Sequence, residues 1–463
     1  MLGITAHNRR WIFLVPVLLA LHGSGQDILT GPGSYASIEP DLVKNINPGH
    51  QGSDITNLCA SNGRVYFSAD DSTTTNDRLW VSDGTEAGTI PLINYGKTPP
   101  FDAIIPLGTS TTFRTATSVG QVFTTANGSA PQPLGMLLPP PSFSMSATRN
   151  NVLYFPAGRD KLWNWSFTLA GQRPSLLTTM PAPVAGTAAT FGKMVALNSS
   201  VIFPYASATN GSELFINNGL PGAAATTLIK DEIVGTVGSK PTNLTVYNGK
   251  VYYQAAVGTA ANTELCRTDG TAAGTGLFKQ INSSATVGSA PADLTVFNNK
   301  LYFTANDGQG RRLWVTDGTA AGTIKLEPNS VVDPKVADLI VVNGTLYFTA
   351  DPNGVGRVFW STDGVASPTA SPWSPVMSAV HRVAVCHDKL VFFVSLSANS
   401  PTYTSILIVD PKEASPAPRS VTMGVVTKQV LFSGAPQLAV VGNRIYFRAN
   451  RNNLGEELWK LDL

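Results

Sequence analysis

Charge is scarce in this chain. Only 13% of its 463 residues are Asp, Glu, Lys or Arg, and 32 basic side chains nearly cancel 30 acidic ones. A disordered, solvating chain has the opposite composition, and 43% hydrophobic residues supply enough apolar surface to fold. No dense Lys/Arg run occurs, which argues against nucleic acid or an anionic membrane as the main partner. Cysteine is limited to Cys59, Cys266 and Cys386, an odd number without metal-type spacing. Neither a disulfide framework nor a zinc site is expected, and the three read as small buried residues on strands. Beyond the N-terminal leader only His50, His381 and His387 remain, with no i, i+4 pair and no mixed Cys/His metal spacing. His381 and His387 flank the strand holding Cys386, but neighbouring strand residues point to opposite faces, which separates thiol from imidazole.

Helix formers are few beside Gly, Pro, Ser, Thr, Asn and the β-branched residues; 42 glycines and 32 prolines predict short strands joined by turns, an all-β chain. The N-terminus reads as an export leader: Arg9 and Arg10, an apolar stretch from Trp11 to Leu21, then Gly23 and Gly25. As a helix that stretch spans about 17 Å, roughly half a hydrocarbon core, which favours cleavage over anchoring. No later segment reaches 18 uninterrupted apolar residues, so no membrane span is expected after leader removal. The expected organisation is a signal peptide over residues 1–25 and one secreted domain over 26–463. Its formal charge is about zero, because the leader removes two basic and no acidic residues.

One pattern recurs along the whole mature chain. In its clearest copy, from Asp293 to Leu326, four strand-length runs alternate with turn chemistry: Leu294–Phe297, Leu301–Ala305, Leu313–Thr316 and Thr323–Leu326. Equivalent units lie around Tyr66, Tyr252, Tyr347 and Tyr446, and degenerate ones around Phe113, Tyr154, Ile202 and Phe392, at steps of 42 to 54 residues. A period of about 40–50 residues with four strands per period is the signature of a β-propeller blade. The count predicts a single nine-bladed propeller, with an eight-bladed ring that leaves out the weak unit at 104–138 as the alternative. The last unit ends at Leu463 after its third strand, and Leu42 to Asn47 matches the fourth-strand segment Leu277 to Asn282. The N-terminal strand is therefore expected to complete the C-terminal blade, hiding two sheet edges.

Leu79-Trp80 through Asp83-Gly84-Thr85 to Gly88-Thr89, and Leu313-Trp314 through Asp317-Gly318-Thr319 to Gly322-Thr323, resemble the ELWxxDGT repeat family of secreted proteins. Departures occur: Cys266 stands in place of Trp, Val365 follows Asp363-Gly364, and the family's Glu survives at Glu264 and Glu457 but is replaced by Arg78 and Arg312. The resemblance implies a propeller-like extracellular protein and supplies no catalytic residues. Asp-Gly suits a tight turn, so Asp83, Asp269, Asp317 and Asp363 read as structural, as do the strand tryptophans Trp80, Trp314, Trp360 and Trp459.

No catalytic set is apparent; nucleophile elbow, phosphate loop and dinucleotide fingerprint are all missing from the required strand-to-helix context. The candidate ligand-binding residues are in loops between second and third strands: Asp70, Asp71, Asp307, Asp351, Asn353 and Asn450. Such oxygens suit a hydroxyl-rich glycan; no cofactor is expected, calcium being the one alternative. Seven N-glycosylation sequons occur, at Asn127, Asn164, Asn198, Asn210, Asn243, Asn282 and Asn343. Asn164 reads as buried between Trp163 and Trp165, and Asn210 and Asn282 as the best placed. The expected function is extracellular binding, adhesion or matrix recognition of a protein or glycan through one propeller face. A polysaccharide- or peptide-acting enzyme with acids at the channel mouth, and a coat or filament subunit, are the alternatives.

Overall fold

The computed structural model describes residues 40–463 apart from 49–51, 73–77, 93–100, 108–109, 116–120, 127, 130–131, 137–144, 167–173, 187–189, 285, 327–332, 352–353, 355, 365–368, 371–376, 378, 396–404, 411–418, 422–437 and 451–453. The leader, His50, Asn127 and Asn353 lie outside the described residues. Within them, nine antiparallel sheets of four strands account for the ordered secondary structure, and helix is confined to short 3-10 turns such as Ala223–Ala225. Sheets one to eight each use four consecutive strands and span 56–91, 101–136, 147–179, 195–228, 242–279, 292–326, 337–370 and 379–421. The weak unit thus folds as sheet two, with the same strand order as its neighbours. Sheet nine takes Leu438–Val441, Arg444–Asn450 and Glu456–Asp462, and adds Asp41–Lys44 as its fourth strand.

Sheet six shows why the repeat folds this way. Its strands are Ala292–Phe297, Lys300–Asn306, Arg311–Thr316 and Ile324–Leu326, each within a residue or two of the expected run. Asn298 and Asn299 turn the first hairpin with φ of 46° and 54°, a left-handed pair that Asn tolerates better than most side chains. The third and fourth strands are joined by a wound loop. Asp317 Oδ1 accepts the Thr319 backbone N–H at 2.8 Å and its hydroxyl at 2.7 Å, Thr319 Oγ1 accepts Gly322 N–H at 2.9 Å, and the Thr323 hydroxyl returns to Thr319 O at 2.7 Å. The same bonds recur from Asp83 to Thr89 and from Asp269 to Thr275. They explain the second glycine of the motif, because a Cβ on Gly88, Gly274 or Gly322 would overlap the carboxylate of Asp83, Asp269 or Asp317. Hydrogen bonds from the threonine hydroxyl and backbone hold all three acids below the usual carboxylate range.

Each motif tryptophan packs into the sheet before its own. Trp314 joins Tyr247, Tyr252 and Phe278 of sheet five, Trp360 joins Phe297 and Tyr302 of sheet six, and Trp459 joins Cys386, Phe393 and Ile406 of sheet eight. Within its own sheet the ring stacks on a second-strand Phe: Phe67 on Trp80, Phe303 on Trp314, Phe348 on Trp360, at 15–18° between planes. Where Cys266 replaces Trp in sheet five, it is buried against Leu197, Ile202 and Leu214 of sheet four. All three cysteines are free, and burial pushes the Cys59 and Cys386 thiols up to about 11, leaving them poor nucleophiles.

A buried glutamate ties the end of one sheet to the start of the next. Glu264 accepts Ile281 N–H at 2.9 Å, Asn282 N–H at 3.2 Å and Ser289 N–H at 3.2 Å, gathering the fourth strand of sheet five and the entry to sheet six. Glu213 does the same with Ile233 and Ser239 between sheets four and five. Glu457, near the end of the chain, accepts Ile46 N–H at 3.0 Å, Asn47 N–H at 3.2 Å and the Ser53 hydroxyl at 3.0 Å, near its beginning.

Other contacts between sheets nine and one are also those of consecutive sheets. Gly84 packs on Tyr446 as Gly318 packs on Tyr252 and Gly364 on Tyr302. Lys44 Nζ reaches Thr89 O at 2.9 Å, as Lys230 Nζ reaches Thr275 O at 2.9 Å. Trp80 lies with Val43, Ile46, Tyr446 and Leu458. First strands lie side by side from sheet three through sheet nine, and that of sheet nine lies beside that of sheet one.

Trp314→Ala should lower unfolding free energy by about 3–5 kcal/mol in a denaturant titration. Gly88→Ala alone should cost about 1–3 kcal/mol, and much less when combined with Asp83→Ala, which empties the space the new methyl needs. Burial raises Glu457 to about 7, against 4.5 when unfolded, so the folded state holds a proton there that the unfolded state has lost. Its contribution is full below about pH 4.5 and is lost as pH climbs through 7, a decline of about 3 kcal/mol. Melting followed from pH 5 to 8 should fall less steeply in Glu457→Gln; an equal slope assigns the titration to another group.

Candidate functional site

Four first strands break register near their start: between Thr56 and Cys59, Thr242 and Thr245, Ala292 and Thr295, and Ala337 and Ile340. At each break the strand's second residue has positive φ: Asn57 58°, Asn243 57°, Asp293 54° and Asp338 60°. Asn and Asp enter that region at lower cost than bulkier residues, and the bulge re-aims their side chains. The result is a polar row at one end of sheets one, five, six and seven.

On sheets six and seven the row becomes a repeated triad. The Thr304 hydroxyl lies 3.2 Å from Asp293 Oδ2 and accepts Arg311 Nη1–H at 2.9 Å; the Thr349 hydroxyl donates to Asp338 Oδ2 at 2.6 Å and accepts Arg357 Nη1–H at 2.9 Å. Each guanidinium also donates to a backbone carbonyl, Arg311 to Ala290 at 3.0 Å and Arg357 to Lys335 at 2.9 Å, which fixes its plane. On sheet five Asn243 Nδ2 donates to Gln254 Oε1 at 3.2 Å and across to Pro291 O of the next sheet at 3.1 Å.

Asp293 is open to water yet flanked by protein, and burial pushes its carboxyl above the usual range; the Asp338 charge adds to this, while the Thr304 hydrogen bond and the charges of Arg311 and Arg357 oppose it. Two carboxylates alternating with two planar donors can bind a molecule rich in hydroxyl groups, or a polypeptide's polar edge.

The expected loop residues lie at the same end, since Ala292 pairs with Thr304 and Asn306 with Arg311. The four aspartates among them have partners within the protein. Asp71 pairs with Arg78 at 2.8 Å and Asp307 with Lys325 at 2.9 Å; Asp70 accepts Ser72 N–H at 2.8 Å; Asp351, 7% exposed, accepts Gly356 N–H at 3.2 Å. Asn450 ends the second strand of sheet nine. Asp363 and the other Asp-Gly-Thr acids lie at the opposite end, where Gly364 N–H is held by the Thr362 hydroxyl at 3.0 Å. His381 and His387 are both exposed, His387 in a turn with φ of 48°.

Reading the sequence as plain alternation missed the bulge row, although Thr-Asn-Leu, Ala-Asp-Leu and Ala-Asp-Leu recur at 242, 292 and 337. It also missed Glu213 as a third member of the buried glutamate set. Among the described residues no group of three His, Cys, Asp or Glu is placed to hold a metal ion, and no helix is long and apolar enough to cross a membrane.

No family model and no curated protein matches the chain. Solved structures do. Porphyromonas gingivalis dipeptidyl peptidase 4 is similar with a TM-score of 0.51 and 9% identity, over 90% of this chain and 65% of that one. The computationally designed Ika8 protein gives 0.44 and 12% over 91% and 99%, and a prolyl endopeptidase 0.41 and 11% over 79% and 55%. The chain thus spans about two thirds or less of these peptidases, which carry β-propeller domains; at such identities the likeness is one of fold.

Asp338→Asn removes the like charge beside Asp293, so Asp293 should titrate at lower pH in a carbon-13 titration of labelled aspartate. An unmoved midpoint would show that the two carboxyls do not sense each other.

Proposed function

We propose that the chain is a secreted, single nine-bladed propeller, closed between sheets nine and one, that recognises an extracellular glycan through the end bearing Asp293, Asp338, Arg311 and Arg357. The observation that carries the reading is the repeated Asp-Thr-Arg triad on adjacent sheets, in which Asp293 is exposed, Asp338, Arg311 and Arg357 are half-buried, Thr304 and Thr349 are buried, and each arginine is held by a hydrogen bond to backbone. Carboxylates accept from sugar hydroxyls while guanidinium N–H groups donate to them, and a site fixed on strands loses little entropy on binding. The export leader and the near-zero mature charge favour a neutral extracellular ligand over a polyanion. The resemblance to ELWxxDGT repeats agrees with an extracellular setting.

Asp293 also favours a second reading. A carboxyl raised above its usual range by burial and by the charge of a neighbouring carboxylate is the kind of pairing that glycoside cleavage uses, so the bound glycan would be a substrate.

A glycan array followed by calorimetry tests both. Asp293→Asn combined with Asp338→Asn should weaken binding at least about tenfold, equivalent to 1.4 kcal/mol, while Asp317→Asn at the opposite end leaves it unchanged. Binding insensitive to the first pair contradicts the assignment. Shortening of the bound glycan, lost in Asp293→Asn, converts the module into a hydrolase.

A further inference from the structure

Seven sequons are present, but the fold treats their asparagines differently. Asn282 is 4% exposed; its backbone N–H is bound by Glu264 and its Oδ1 holds Ser284 N–H at 3.0 Å. This overturns the expectation that a Ser-rich setting makes it accessible. Asn210 gives Nδ2 to Asp231 at 2.8 Å and accepts the Thr209 hydroxyl at 2.8 Å. Asn243 spends Nδ2 on two acceptors, Gln254 and Pro291 O, within the bulge row. Asn164 sits mid-strand, half-buried, opposite Tyr154 on one side and Ser175 on the other.

Asn198 and Asn343 differ from all of these. Each begins a two-residue hairpin between the first and second strands of its sheet, at φ of 52° and 48°, with the side chain exposed. Ser200 and Thr345, which complete the two sequons, are the first residues of the following strands. Asn343 Nδ2 gives a single hydrogen bond, to Asp388 O at 3.2 Å, and an amide nitrogen that has lost one proton still keeps the other to donate.

We propose that Asn198 and Asn343 are the asparagines that carry N-linked glycans in the secreted protein, an inference that rests on the export reading above. Nδ2 would attack the anomeric carbon of a lipid-diphosphate oligosaccharide supplied by the secretory host. A C–N bond forms, the C–O bond to the diphosphate breaks, the lipid diphosphate leaves, and one amide proton passes to a base. Attachment precedes folding, so burial acts as a filter: a chain glycosylated at Asn282 could not seat that residue against Glu264. Both selected sites lie at the Asp-Gly-Thr end, because first-to-second hairpins and third-to-fourth turns share one end of each sheet. The opposite end, with Asp293 and Asp338, stays uncovered.

The test is glycopeptide mass spectrometry on the full chain secreted from a eukaryotic cell, once behind its own leader and once with residues 1–25 replaced by an established leader. Glycopeptides containing Asn198 and Asn343 are expected, and Asn198→Gln and Asn343→Gln should each remove the mass of one glycan. Glycans seen only with the replacement leader uphold the two sites and count against the export reading alone. Bare Asn198 and Asn343 in folded, secreted protein, or a glycan on Asn282, overturns the inference.

Discussion

A carboxylate without solvent exposure is expensive unless every lone pair is answered, and this chain uses that demand as a fastener. Glu213, Glu264 and Glu457 lie at the same register of their third strands, each 0–1% exposed, and each draws in backbone N–H from the segment that follows the last strand of its sheet and a serine ahead of the next sheet. The third case joins residues separated by more than four hundred positions. Without Ile46, Asn47 and Ser53, Glu457 would be a buried acid with no donors. Without Glu457, the first ordered strand would keep its pairing to Trp459 and its neighbours and its contacts with Thr89 and Trp80, but the residues after it would lose their anchor. Sheet nine and the chain's beginning therefore stabilise each other, and the contacts of Gly84 with Tyr446 and of Lys44 with Thr89 follow from that seating.

The two ends of each sheet do different work. At one, threonine hydroxyls and backbone N–H groups bind one carboxylate oxygen of each Asp-Gly-Thr acid and wind the turn around it. At the other, the bulges turn Asn57, Asn243, Asp293 and Asp338 away from strand alternation, and the arginines are fixed by backbone carbonyls and threonine hydroxyls. The proposed glycan face and the proposed glycosylated face are opposite ends, because first-to-second hairpins lie at the Asp-Gly-Thr end and the bulges at the other.

Much of this was legible before coordinates. Repeat length, Asp-Gly pairs and alternating Tyr-Phe cores specify four-stranded units because turn geometry and burial are local properties. The match of Leu42–Asn47 to Leu277–Asn282 located the crossing strand, since equivalent glutamates, Glu457 and Glu264, bind the two segments in the same way. The site was less legible. Asp71 and Asp307 look like ligand residues in a polar loop, but their partners Arg78 and Lys325 stand 7 and 18 positions away, and spacing does not reveal pairing. Asn282 looks exposed among serines and is buried, because the glutamate that gathers its strand lies 18 residues earlier. Asp293 reads as the residue before a strand, yet it lies inside Ala292–Phe297 at a bulge with left-handed φ.

The claim on which the rest hangs is that the junction of sheets nine and one is equivalent to those between consecutive sheets. Hydrogen–deuterium exchange tests it in the intact chain, because peptides covering 42–47 and 277–282 report on the same bonds at two junctions. Equivalent junctions predict that the Ile46 and Asn47 amides are protected to within about tenfold of Ile281 and Asn282. Exchange of Ile46 and Asn47 at unstructured-chain rates, with Ile281 and Asn282 still protected, would contradict the account.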